Sequence, residues 1–226
     1  MRNLQTRPLI YLITDRCAFL KHQLDNDDAQ EGQLKVIGIA AESGCHLVQI
    51  RERNLSAREL ADFVSKAINI ARPHGTRTLV NDRLDVALAT GADGVHLRTN
   101  SIAVSEARRI ADAFQKQDSQ NSFLIGVSTH SLDEALKAER EGADFIVCSP
   151  VYKPISKPAH TSPLGLEGLR EICTKVKIPV LALGGISIEN FGEPLLHGAA
   201  GIAGIGLFQD SNNLRTHLKM MLSFRL

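Results

Sequence analysis

The sequence has no CxxC pair, no excess of charge of either sign, no long apolar run and no glycine-rich nucleotide fingerprint. Each absence removes a class of function. The four cysteines, Cys17, Cys45, Cys148 and Cys173, stand far apart with no His-rich partner segment, which argues against a zinc site and fits free thiols in a reducing cytoplasm. Lys and Arg number 26 against 25 Asp and Glu, a formal net charge of +1, so nothing in the balance asks for nucleic acid or a membrane surface. No apolar run approaches the roughly 18 residues of a membrane span, and MRNLQTRPLI lacks the apolar core of a secretory signal; a cytoplasmic protein is expected. No GxGxxG follows the first apolar run and no GxxxxGK[ST] occurs, which disfavours hydride transfer and a P-loop ATPase.

What is present is regular. A chain of 226 residues, 43% hydrophobic and 23% charged, suits one substantial core, and residues 1–226 are expected to form a single domain. Short apolar, β-branched runs recur at 9–14, 46–50, 77–80, 94–97, 123–127, 144–148, 179–183 and 201–207. Helical spacing separates them, as in 55–71, where Leu60, Phe63, Val64, Ala67 and Ile68 share a face, and in 131–142. Gly44, Gly91, Gly142 and Gly198 each stand directly before a small or apolar residue that leads into the next strand, where they would stop a helix. They recur roughly every fifty residues, a weak repeat of about two strand-helix units. Eight alternating units without a break predict an α/β protein, a single (β/α)8 TIM barrel. Two stretches depart from the rhythm. KHQLDNDDAQEG (21–32) lacks a glycine and a terminal glutamate at EF-hand spacing and is expected as a solvated first loop. PVYKPISKPAHTSPLG (150–165) carries four of the eight prolines and is expected as a functional loop.

Barrels of this kind place their chemistry at the C-terminal ends of the strands. There the runs end in Thr14-Asp15, Gln49 and Arg51, Asn81-Asp82, Ser128 and His130, and Ser149 with the loop bearing Ser156 and Lys157. Gly184-Gly185 and Gly204-Ile205-Gly206 close the last two strands, the usual place for backbone N–H groups to hold a phosphate. Gln49, Arg51 and Arg53 alternate and would share one face if the strand extends that far, suiting either a polyanion or a salt-bridged strand end. Asp82 beside an anion site calls for a cation between them, and magnesium suits an oxygen donor; the alternative is a helix cap. Lys157 could place charge over a diphosphate, or simply be solvated. His130 suits a proton-transfer group or a helix-start hydrogen bond. His46 and His96 fall within apolar runs and are expected as packing or hydrogen-bonded residues.

YLITD, VQIRER, LVNDRLDVALATGADGVHL, IGVSTHSLDEAL, GADFIVCSPVYKPISKP, PLGLEGL and IPVLALGGI, in this order, resemble the thiamin phosphate synthase and thiazole tautomerase family over nearly the whole chain. The resemblance implies a transferase of thiamin biosynthesis, in which magnesium helps a hydroxymethylpyrimidine diphosphate lose pyrophosphate and the ring nitrogen of a thiazole phosphate captures the pyrimidine cation. It implies that Gln49, Arg51 and Asn81 hold the pyrimidine and its diphosphate, that Asp82 binds magnesium, and that Ser128, Ser156 and Lys157 surround the reacting groups. Gly185 with the Ile205-Gly206 backbone would hold the thiazole phosphate. The implied partners are these two small molecules; assembly into a homo-oligomer is left open.

Three positions depart from the family pattern. A second metal carboxylate is expected after the fourth strand, where RTNS (98–101) places Ser101. Arg53 stands for the usual lysine after the Gln-x-Arg pair, and the Pro-Thr-x-Thr-Lys loop is here Lys153 to Lys157, keeping Ser156 and the lysine. These changes fall on the diphosphate half. They favour an alternative, an isomerase of the tautomerase branch that aromatises a thiazole carboxylate phosphate through His130 without magnesium. Retention of Gln49, Arg51, Asn81, Asp82 and Lys157 favours the synthase over that branch. A non-catalytic binder of phosphate ligands is the third reading.

Overall fold

In the computed structural model, eight short strands pair in parallel, each with the next and the last with the first, as a closed barrel. The strands are β1 (Leu9–Ile13), β2 (Leu47–Ile50), β3 (Arg77–Asn81), β4 (Gly94–Leu97), β5 (Leu124–Thr129), β6 (Phe145–Cys148), β7 (Val180–Ala182) and β8 (Gly201–Gly204). Residues 8–16, 26–114, 122–153 and 162–225 are described by the structure. Ser156, Lys157, Pro154 and Cys17 lie outside them.

Alternation within each strand separates two apolar sets. Leu9, Tyr11, Ile13, Leu47, Leu79, Leu124, Phe145, Val147 and Leu181 fill the barrel, whereas Ile10, Leu12, Val48, Ile50, Val80 and Val95 face the helices. The helices follow the strands in turn: α1 (Asn26–Glu42), α2 (Ala57–Ala71), α3 (Leu84–Thr90), α4 (Val104–Phe114), α5 (Leu132–Arg140), α6 (Gly165–Lys175), α7 (Gly192–Leu196) and α8 (Leu214–Ser223). None is long and apolar enough to cross a membrane.

Local chemistry accounts for these boundaries. Helix α2 starts in a capping box: Ser56 Oγ accepts from the Glu59 N–H (3.3 Å) and Glu59 Oε2 from the Ser56 N–H (2.8 Å). It buries Leu60, Phe63, Val64, Ala67 and Ile68, the stripe expected from the spacing. Two helix-to-strand joints repeat one device. Gly91 and Gly142 turn left-handed, and the aspartate two residues on, Asp93 or Asp144, accepts from a neighbouring strand's N–H, that of Thr78 (2.9 Å) or Ile125 (2.7 Å).

Three expectations need correction. Segment 21–32 is helical from Asn26 onward, within α1. Strand β2 ends at Ile50, so Arg51 and Arg53 stand on the loop beyond it. The run 201–207 holds strand only to Gly204 and then tightens into a single helical turn over Gly206–Phe208.

Candidate active site

The inward parity that places Leu47, Leu79 and Leu124 in the barrel continues upward into a polar layer at the C-terminal mouth. Gln49 and Asn81 follow Leu47 and Leu79, while His96 lies two residues beyond Gly94 and Ser128 two beyond Gly126. The register sets Gln49 beside Leu79, Asn81 beside His96 and His96 beside Gly126. The strands thus bring Gln49, Asn81, His96 and Ser128 to one end of the barrel.

Gln49 is 2% exposed, and its Nε2 makes no hydrogen bond of good geometry among the described residues, although its amide stands close enough to Tyr11 to oppose the rise of the phenol. A buried amide donor left unsatisfied costs roughly 1–3 kcal/mol. Below the mouth, Tyr11 Oη lies 3.2 Å from His96 Nδ1, and His96 Nε2 lies 2.9 Å from Ser128 Oγ. Burial holds the Tyr11 phenol well above its ordinary value, with Gln49 working weakly against it, and pushes the His96 imidazole down to about 3. A neutral imidazole has one donor and one acceptor nitrogen, so the Tyr11 and Ser128 hydroxyls take opposite roles toward His96, one donating and the other accepting.

The His96 shift has a measurable sign. Its folded pKa lies below the ordinary 6.5, so the unfolded chain binds the proton first on acidification. The stability contribution is complete above about pH 6.5 and is lost as pH falls toward 3, at a slope approaching about 1.4 kcal/mol per pH unit. In His96→Gln, denaturant unfolding between about pH 6 and pH 4 should show a slope smaller by about one proton. The residual slope includes His46, whose ring is also held below its ordinary value by burial and lies with Nδ1 accepting from the Ile10 N–H at 3.1 Å.

Charged groups ring the mouth. Arg51 donates from Nη1 to Asp15 Oδ2 at 2.8 Å, and its N–H donates to Thr14 Oγ1 at 3.0 Å. Desolvation lowers the pKa of Arg53 most, Arg51 adds to that, Asp15 opposes it, and Arg98 lowers it further, so the three guanidiniums share one field. Asp82 has φ of +61°, rare for a residue with a side chain, and its N–H donates to the His96 carbonyl at 2.9 Å. Its carboxylate is already engaged on both oxygens: Ser101 Oγ donates to Oδ1, and Arg98 donates to Oδ2 from Nη2 and from Nε (3.1 Å). No cluster of three or more His, Cys, Asp or Glu suited to a metal exists among the described residues.

His130 sits at the entry to α5, where its Nδ1 donates to the Ser149 carbonyl (2.6 Å) and its backbone N–H to Glu134 Oε2 (2.6 Å). After β7, Gly185 turns with φ of +67°, packed so that a Cβ would come within 2.6 Å of Tyr152 Cβ. Ile205 and Gly206 open the turn after β8, where a Cβ on Gly206 would meet nothing within 4 Å. Arg98 was the residue missed from sequence. Its signal in the sequence is its place two residues beyond His96, on the turn that follows β4.

A family model described as thiamine monophosphate synthase matches residues 10–208. The thiamine-phosphate synthase of Pyrococcus horikoshii is 35% identical over 213 residues, covering 94% of this chain and 92% of that protein. That of Chloroflexus aurantiacus is 40% identical over 168 residues, 74% of each chain. Among solved structures, a thiamine phosphate pyrophosphorylase from Pyrococcus furiosus superposes with a TM-score of 0.76 at 32% identity, over 98% of this chain and 100% of that one.

Proposed function

Because the chain belongs to the thiamine monophosphate synthase family, we propose that it joins hydroxymethylpyrimidine diphosphate to thiazole phosphate, releasing pyrophosphate and thiamin phosphate. The observation that carries this reading is the vertical order of the mouth. A buried Gln49 near the end of β2 gives way directly to the loop bearing Arg51, with Arg53 and Arg98 in the same field. A flat heterocycle with ring acceptors below and a polyanion above has the matching order of chemistry.

The assigned roles follow that order. Gln49 and Asn81 orient the pyrimidine, Arg51 and Arg53 grip the diphosphate, and Ser128, aligned through His96, bonds near the reacting centre. Ser156 and Lys157 complete the family pattern on the loop after β6. Gly185 and the Ile205-Gly206 backbone receive the thiazole phosphate. In the reaction the bond from the pyrimidine methylene carbon to oxygen breaks with its electron pair leaving on the diphosphate. The thiazole nitrogen lone pair then forms the new carbon–nitrogen bond, and no net proton is gained or lost. Preorganised guanidiniums stabilise the leaving charge as it grows.

The resemblance brings magnesium to this reaction, with Asp82 as its expected ligand. The residues here do not fit a protein-held ion: Asp82 carries Ser101 on one oxygen and Arg98 on the other, and no cluster of three or more possible ligands surrounds it among the described residues. The tautomerase alternative has no observation that favours it over the synthase: the His130 ring is tied through Nδ1 to the Ser149 carbonyl after β6, and its backbone N–H to Glu134. We extend the synthase reading to residues 1–226 as one domain, acting in the cytoplasm on small molecules.

The deciding experiment is formation of thiamin phosphate by the purified protein from the two substrates in magnesium buffer. No product, from protein shown to bind thiazole phosphate, would overturn the reading. A variant sharpens the test: Gln49→Leu should raise unfolding stability by about 1 kcal/mol by removing an unsatisfied donor, yet lower kcat/KM about 100-fold by losing the ring contact. Denaturant unfolding and steady-state kinetics read the two effects separately, and a joint loss of both would mean that Gln49 serves the fold.

A further inference from the structure

We infer that Arg98 is the built-in cation of the diphosphate half of the site, so that this chain binds a diphosphate group without a divalent metal ion. The inference rests on the synthase reading for its ligand but on this chain's own contacts for its content.

Arg98 is held in place from three sides. Its backbone N–H donates to Ser101 Oγ at 2.8 Å, and its carbonyl accepts from the Ser101 N–H at 3.1 Å. The Ser101 hydroxyl donates onward to Asp82 Oδ1, and the guanidinium closes the circuit on Oδ2. Asp82 is itself fixed by its left-handed backbone and its N–H bond to the His96 carbonyl. Ser101 is therefore more than a lost carboxylate: it ties the 98–101 turn to Asp82 and keeps Arg98 over the mouth.

The guanidinium has five N–H donors, and Nε and Nη2 supply the bonds to Asp82. The Arg98 side chain is still 45% exposed, so its pairing with Asp82 leaves it open to a ligand. Arg98 stands on the turn after β4, two residues beyond His96, and its charge lies within the field that reaches Arg53. Planar donors of this kind bond phosphate oxygens in pairs.

Charge balance supports the exchange. A divalent ion between two carboxylates adds no net charge, and neither does one guanidinium on one carboxylate. Replacing a carboxylate and a metal by Ser101 and Arg98 leaves the local charge as it was, while Arg51 and Arg53 keep their positive field. What changes is the source of the cation, from solution to the chain.

The test is calorimetric titration of EDTA-treated protein with inorganic pyrophosphate, in EDTA and in magnesium. The expected result is a wild-type Kd that differs by less than about threefold between the two buffers, and an Arg98→Ala variant at least about tenfold weaker in EDTA. Arg98→Gln, which keeps a hydrogen bond to Asp82, replaces alanine if that variant does not fold. The double variant Arg98→Gly with Ser101→Asp should regain affinity in magnesium only. A wild type that loses about tenfold or more in EDTA, or an Arg98→Ala that binds as the wild type does, overturns the inference. Product formation measured beside it separates the two claims. Pyrophosphate binding in EDTA with no thiamin phosphate in either buffer sinks the synthase reading and leaves Arg98 in its role. Turnover in magnesium with pyrophosphate binding lost in EDTA does the reverse.

Discussion

Gly126→Ala is expected to cost about 3 kcal/mol or more of stability and to abolish most turnover, through one added methyl group. A Cβ on Gly126 would lie 2.3 Å from Phe145 Cζ and 2.8 Å from His96 Nδ1. Neither neighbour can retreat. Phe145 is fully buried with its ring edge-on to Tyr11 at 5.5 Å, and His96 is 3% exposed between Tyr11 and Ser128. Overpacking of this kind costs about 1–3 kcal/mol, and each hydrogen bond lost from the Tyr11–His96–Ser128 chain adds about 1 kcal/mol. The damage reaches function because the same displacement breaks the bond that holds the Ser128 hydroxyl to His96. Urea unfolding and kinetics should move together in this variant. Gly168→Ala provides the control: it lies inside α6 with only ordinary contacts, the nearest Leu164 Cβ at 3.6 Å, and should gain about 0.5–1 kcal/mol with activity unchanged. A tolerated Gly126→Ala would mean that the barrel centre is looser than its packing indicates.

The fold was legible because its signals are local. Eight β-branched runs, separated by helical stripes and stopped by glycines, carry the strand order within themselves, and the closed parallel barrel follows from their number and alternation. The segment 21–32 reads as a solvated loop by its polarity, yet from Asn26 onward it is part of α1, whose apolar stripe begins only with Ala29 and Val36. The polar layer was legible in part: parity from Leu47 and Leu79 leads to Gln49 and Asn81 without any long-range knowledge. What the pattern could not carry was the Asp82 circuit. Its partners, 16 and 19 residues away, meet only because Asp82 adopts a left-handed backbone and the turn at Ser101 folds back. Such a contact depends on two loop conformations at once, neither of which hydrophobic periodicity encodes. The same limit hid the tie between His96 and Ser128, which crosses from one strand to the next.

Arg51→Ala should lower kcat/KM about 1,000-fold, the largest kinetic effect among single substitutions at the mouth. Arg51 follows Gln49 by two residues, on the loop beyond β2, and it is oriented by Asp15 at 2.8 Å and by Thr14 through its backbone. Its removal takes away a charge-assisted grip on the diphosphate. It also leaves the Asp15 carboxylate without this counter-charge and facing the incoming anion, so attraction is replaced by repulsion. Stability should change little, because the pair is partly exposed, with side-chain exposures of 13% and 24%, and pairs open to water contribute about 1 kcal/mol or less. Arg51→Lys keeps the charge but not the planar fork, and an intermediate loss of about 10- to 100-fold is expected. The split between substrates is the sharper readout. If Arg51 serves the diphosphate, the KM for the pyrimidine substrate rises or kcat falls while the KM for thiazole phosphate holds. Equal weakening for both substrates would place Arg51 in the architecture of the mouth, with its bond to Asp15 as its only role.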